Sequence, residues 1–113
     1  MFCMGKPSDQ IYIEHILGAI SLIEGFVSGK TFEAFQVDPL LSSAVTRQLE
    51  IIGEAAKRLS DEYKSELGEL PWRRITGMRD FLIHDYIDVD LEIVWKAATE
   101  DVASLKQVLE KKT

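Results

Sequence analysis

Between Arg79 and Tyr86, in the stretch Gly77-Met78-Arg79-Asp80-Phe81-Leu82-Ile83-His84-Asp85-Tyr86, the chain sets an arginine, a histidine and a tyrosine close together. These side chains suit three tasks: holding a phosphate, moving a proton near neutral pH and donating a hydrogen bond. The chemistry such a group supports is phosphoryl transfer within RNA. There the 2'-hydroxyl beside the scissile phosphate is an internal nucleophile, so positioning and proton transfer suffice and no metal is obligatory. His84 would take the hydroxyl proton or protonate the leaving oxygen. Arg79 would neutralise charge gathering on the phosphate, and Tyr86 would orient the phosphate or a base. The products would end in a 2',3'-cyclic phosphate and a 5'-hydroxyl. The same residue types also cap and solvate helix ends, and on spacing alone that structural role is the stronger reading.

On one ideal helix Arg79 and Tyr86 share a face, whereas His84 is rotated away from Arg79 by roughly 140°. A single straight helix therefore does not bring the three together. Either the helix loosens near His84, ahead of the helix-capping Asp88 and Asp90, or a second copy of the chain supplies the missing group across an interface. We expect a combination of the two.

Metal readings fare poorly. His84-Asp85 matches the dyad of metal-dependent phosphohydrolases, but those sites need further histidines and His15 is the only other one. His15 itself reads as a surface or partly buried residue of a helix. Asp88-Val89-Asp90 lacks a glycine-bearing calcium loop, and capping accounts for both aspartates. The lone Cys3 permits neither a disulfide nor a Cys/His zinc pattern within the chain. No metal and no cofactor are expected.

The elements that must position this stretch are helices. From Ser8, read as an N-cap, Ile13, Ile16, Leu17, Ile20, Ile23 and Val27 stack on one face of a helix over about 8–28, closed by Ser28-Gly29-Lys30. Thr31 caps a short turn whose Phe32 and Phe35 plug one end of the core. Asp38-Pro39 opens a second long helix running to Arg58 or Leu59, with Leu41, Ala44, Val45, Gln48, Ile52, Ala55 and Leu59 on its buried face. Beside that face run Arg47, Ile51, Glu54 and Arg58. The helix-interior Gly53 costs about 1 kcal/mol against alanine, which suggests a close approach by another backbone or a ligand. Alone, the stripe is more readily a solvated face with one packing glycine.

Residues 60–70 form a short acidic helix stopped by Gly68, and Pro71 starts the next, in which Arg73, Arg74 and Arg79 make the only arginine cluster. The final helix begins at Asp88 or Asp90 and carries Leu91, Val94, Trp95, Ala98, Val102, Leu105 and Leu109. With no convincing strand and no repeat, the chain reads as all-α: an antiparallel four-helix bundle with short extra helices.

With 113 residues, 46% of them hydrophobic, one domain over 1–113 is expected, with 1–7 and 111–113 fraying. The single cysteine fits a reducing, cytoplasmic setting. The first residues lack a basic leader, and no apolar run approaches the roughly 20 residues of a membrane span, so a soluble protein without membrane contact is expected. A net charge of −6 argues against coating nucleic acid with the whole surface. Any contact with it must be local.

Arg79, four residues, His84, one residue, Tyr86 is similar to the R-x4-6-H-x-Y motif of HEPN-superfamily ribonucleases. Arg47-Gln48-Leu49-Glu50-Ile51-Ile52-Gly53-Glu54-Ala55-Ala56 and Pro71-Trp72-Arg73-Arg74-Ile75-Thr76-Gly77-Met78-Arg79 resemble the two signature blocks of the HepT-like subfamily, and the likeness runs from about Ile11 to Leu109. The resemblance implies a HEPN-like helical bundle that forms a homodimer with both motifs facing one cleft. It further implies the toxin of a type VII toxin-antitoxin pair, with RNA as substrate and Arg79, His84 and Tyr86 catalytic. Arg47, Gly53, Glu54, Arg74 and Asp80 would support the cleft. The implied antitoxin is an MntA-like nucleotidyltransferase that attaches AMP to Tyr86, placing bulk and negative charge where an RNA phosphate would bind. Asp80, polar as the motif asks, sets a carboxylate beside Arg79 that weakens the local field for RNA. The second reading is a non-catalytic helical partner, or substrate-binding subunit, of a minimal nucleotidyltransferase. The acidic balance favours it, because it demands less RNA affinity.

Overall fold

A computed structural model describes residues 8–77 and 90–112, and all regular structure within them is helical. Helix α1 spans Asp9–Val27 and α3 spans Pro39–Arg58, and their packing against one another forms the centre of the core. Ile13, Ile16, Ile20 and Ile23 of α1 are at most 1% exposed, as are Val45, Leu49 and Ile52 of α3. Burying each such side chain contributes about 1.5–3 kcal/mol, so these facing stripes hold the fold. The buried face of α3 is centred on Leu49, Ile52 and Ala56 rather than on Gln48, which is only partly covered. By length and apolar content α1 alone among the described helices is sufficient to cross a membrane, a size that the core helix of a globular protein also reaches. Its isoleucine stripe nevertheless lies in the protein core, with Glu14 exposed on the opposite side, the division of a core helix.

Ser8 does not cap α1. Its backbone is already helical, at φ −66° and ψ −20°, and its side chain makes no capping hydrogen bond. The next residue matters more: the Asp9 carboxylate is 1% exposed and accepts hydrogen bonds from the Ser60 backbone N–H at 2.7 Å and the Ser60 hydroxyl at 2.6 Å. Ser60 in turn caps α4 (Asp61–Glu66) by accepting from the Tyr63 N–H at 3.1 Å. One buried carboxylate thus ties the start of α1 to the junction of α3 and α4. At its other end α1 closes as expected: Gly29 takes φ +71°, and the Lys30 N–H donates to the Val27 carbonyl at 2.9 Å.

Thr31 caps α2 (Phe32–Gln36), and Asp38 caps α3 by accepting from the Leu41 N–H at 3.1 Å. Phe35 is fully buried and lies 5.0 Å, ring centre to ring centre, from Trp95, with Phe32 at 6.3 Å, completing the aromatic plug. α4 ends before Gly68, which is not left-handed, and the indole N–H of Trp72 then donates to the Leu67 carbonyl at 3.0 Å. That bond folds the chain into α5 (Trp72–Thr76).

The C-terminal helix is not continuous. Asp90 caps α6 (Leu91–Lys96), accepting from the Glu92 and Ile93 N–H groups. A π-helical turn over Ala97–Asp101 follows, and α7 (Val102–Lys112) completes the segment. In the π turn the Thr99 hydroxyl donates to the Trp95 carbonyl at 2.8 Å, a local bond of the kind that loosens an α-helical turn. Lys106 reaches Glu24 of α1 at 3.0 Å, which raises the Lys106 ammonium above its usual range, first through the hydrogen bond and then through charge attraction. α1, α3 and the segment α6–α7 are three long members of the bundle. The fourth expected member includes residues 78–89, outside the described residues, and so does the Asp88 cap.

Candidate functional site

Arg79, Asp80, His84 and Tyr86 lie outside the described residues; the structure shows what leads into and out of their segment. On the entry side is α5, a helix of five residues, too short to hold itself in water. It is fixed by the buried Ile75, by the Trp72 indole, and by a 2.7 Å ion pair from Arg74 to Asp101 at the end of the π turn. Gly77 follows directly, its N–H donating to the Arg73 carbonyl at 3.0 Å. A Cβ at Gly77 would stand 3.0 Å from that same oxygen, so the chain passes too closely over the end of α5 to accept a side chain without a shift. On the exit side Asp90 restarts the helix through its cap. Folded structure thus lies on either side of residues 78–89, ending at Gly77 and resuming at Asp90.

The supporting residues fall into two groups. Arg47 is 69% exposed and pairs with Glu50 at 3.4 Å, while Arg58 approaches Glu54 at 3.9 Å, giving α3 a solvated stripe of i,i+3 and i,i+4 pairs. Gly53 lies on the buried side of the same helix, so it faces protein rather than solvent. Arg74 stands apart from these, on α5. Its charge is compensated by Asp101, a partner 27 residues away that the local pattern of the sequence did not disclose. The cue in the sequence is the pair of carboxylates Glu100 and Asp101 between the core positions Ala98 and Val102, of which spacing does not single out Asp101. Arg73, its neighbour, is exposed and makes no ion pair with another described residue. The local basic spot read from the sequence is thus reduced by one charge.

Beside the Arg74–Asp101 pair is a groove of about 320 Å³, with Leu70, Ile75, Leu105 and Val108 among its lining. Among the described residues no three His, Cys, Asp or Glu side chains gather as metal ligands would. His15 is exposed and meets the Tyr12 ring edge-on at 6.2 Å.

Residues 16–111 match the family described as HepT-like, ribonuclease HepT-like. The chain belongs to the HepT-like ribonuclease family. Its relatives cover nearly its whole length. A protein named "Probable ribonuclease HepT" from Thermococcus cleftensis is 46% identical over 106 residues, 94% of this chain and 96% of that one. A "Putative RNase" of Caldanaerobacter subterraneus subsp. tengcongensis is 44% identical over 100 residues, covering 88% and 89% of the two chains. A Methanocaldococcus jannaschii protein named "Gamma-glutamylcyclotransferase and putative RNase" is 41% identical over 98 residues, but these make up only 44% of its length. The HepT-like unit is therefore also found as part of a longer chain. No solved structure matches the protein. In this HepT-like chain the all-helical fold agrees with the HEPN-like architecture that the motifs imply, and the matched span takes in the whole Arg79–Tyr86 motif.

Proposed function

We propose that the protein is a metal-independent endoribonuclease acting as the toxin of a toxin-antitoxin pair in the cytoplasm. The observation that carries this is the family match over 16–111, which includes the motif with its spacing intact. The folded flanks of the motif at Gly77 and Asp90 support it, because positioning is most of what this chemistry asks of a protein. In the proposed reaction the 2'-oxygen bonds to phosphorus as the bond to the 5'-oxygen breaks. His84 takes or supplies the proton, and Arg79 offsets the charge on the non-bridging oxygens. Two copies of the chain bring their motifs to one cleft, one of the two ways in which Arg79 and His84 could meet although one ideal helix would turn them apart.

The direct test is incubation of purified protein with RNA in excess chelator. Fragments ending in 2',3'-cyclic phosphate are expected; cutting that stops when the chelator is added would defeat the metal-independent mechanism.

The proposed partner is a small nucleotidyltransferase antitoxin that attaches AMP to the Tyr86 hydroxyl and so blocks the phosphate site. Tyr86→Phe, which keeps the ring but not the oxygen, is expected to take up no AMP. Intact-mass measurement after incubation with the partner and ATP reads this out, and AMP uptake by the variant would move the modification elsewhere.

The net charge of −6 and the neutralisation of Arg74 favour a second reading, a non-catalytic partner of the nucleotidyltransferase. Growth arrest on expression alone, lost with Arg79→Ala in a folded protein, separates the two in favour of the toxin.

A further inference from the structure

Arg74 and Asp101 are 27 residues apart in sequence and 2.7 Å apart in the fold. Arg74 sits in the last turn of α5, and Asp101 closes the π-helical turn of the C-terminal segment. Such turns interrupt an α-helix at a cost and recur where a helix must present a residue that regular winding would place differently. Arg74 is 55% exposed and Asp101 25%, so the pair adds little to global stability, and the large core formed by α1 and α3 does not depend on it. α5 is held by its packing against α3 and by the Trp72 indole, and the pair adds its tie to the C-terminal segment. This helix has only Ile75 fully in the core, and its exit at Gly77 is two residues from Arg79 in the chain.

We propose that Arg74 and Asp101 are a positioning pair for the motif segment: the pair fixes the exit of α5, and Arg74 acts on the reaction through Asp101 rather than through RNA. The proposal rests on the ribonuclease reading for its kinetic consequences. It gives Arg74 a different task from the phosphate contact that its place in a basic cluster suggests.

The two roles predict opposite behaviour for Asp101→Asn. If Arg74 meets RNA, removing the competing carboxylate frees it, so KM falls or stays, kcat is unchanged, and Arg74→Ala raises KM and flattens the salt dependence of binding. If the pair positions the motif, Arg74→Ala and Asp101→Asn each lower kcat by about 10-fold, leaving KM and the salt dependence as in the parent. The double variant is then no worse than either single one, because both abolish the same ion pair. Exchanging the charges, Arg74→Asp with Asp101→Arg, then restores part of the rate. The first pattern overturns the proposal.

Hydrogen exchange of the amides of 72–77 is measured on the same proteins. Faster exchange in Asp101→Asn, with the exchange of α1 and α3 unchanged, is the result expected of a strut. Unchanged exchange at 72–77 overturns the proposal even if the parent cuts no RNA. An inactive parent with faster exchange in the variant removes the ribonuclease reading and leaves the strut standing.

Discussion

Replacing His84 by alanine is expected to lower the rate of RNA cleavage by about 10²–10⁴-fold, the usual worth of one positioned proton-transfer group, while the protein stays folded. The reaction needs a proton taken from the 2'-hydroxyl and one given to the 5'-oxygen, and in this motif only His84 has the side-chain type that commonly exchanges protons in that role. Arg79→Ala should act on the same step through charge, so the double variant should lose far less than the product of the two losses. Single-turnover cleavage of a defined RNA by variants with unchanged circular dichroism checks both statements. Cleavage by His84→Ala at the parental rate would remove the acid-base assignment.

The pH profile adds a second reading of the same experiment. Activity should vary between about pH 5 and 8, where an imidazole changes charge. The Lys106–Glu24 bridge does not contribute to that variation. The lysine's pKa is raised in the folded state, so the stabilisation it brings is fully present below its ordinary pKa and is lost only as pH rises through the raised value, well into the alkaline range. A pH dependence near neutrality therefore does not come from the tie between α1 and α7.

The largest effect on stability is expected at Ser60, a residue with no part in the chemistry. Ser60→Ala removes the hydroxyl that donates to the buried Asp9 carboxylate at 2.6 Å and, at the same time, the oxygen that caps α4. Hydrogen bonds to a buried charge are worth about 1.5–3 kcal/mol and a serine cap about 1 kcal/mol. The variant should therefore lose about 2–4 kcal/mol in urea unfolding, a fall in Tm on the order of 10 °C for a domain of this size. The Ser60 backbone N–H still meets Asp9 at 2.7 Å, which keeps the loss from being greater. A change below about 0.5 kcal/mol, typical of a surface position, would show that the junction of α1, α3 and α4 is held by other means.

Much of the fold was legible in local sequence because its causes are local. Asp38 and Thr31 accept from backbone N–H groups three residues on, and Gly29 relieves the steric cost of a left-handed residue. The isoleucines of α1 recur at a period set by helix geometry alone. The readings that failed were those in which a long-range partner outweighed a local preference. Ser8 has the side chain of an N-cap, yet the helix is anchored by Asp9, whose partner is 51 residues away. Gln48 fits the helical period, but packing against α1 buries Leu49 and Ala56 and leaves Gln48 only partly covered.

The sequence by itself determined the all-helical class, the approximate limits of α1 and α3 and, through the ordered motifs around Arg47, Pro71 and Arg79, membership of the HepT-like ribonuclease family. Each of these rests on residues within a few turns of one another, where spacing in the chain is spacing in space. Only the tertiary structure decided that a carboxylate from a π-helical turn takes Arg74 and that Asp9 and Ser60 lock one corner. Those contacts join residues far apart in the chain, and their existence depends on how whole helices pack, which no local spacing encodes.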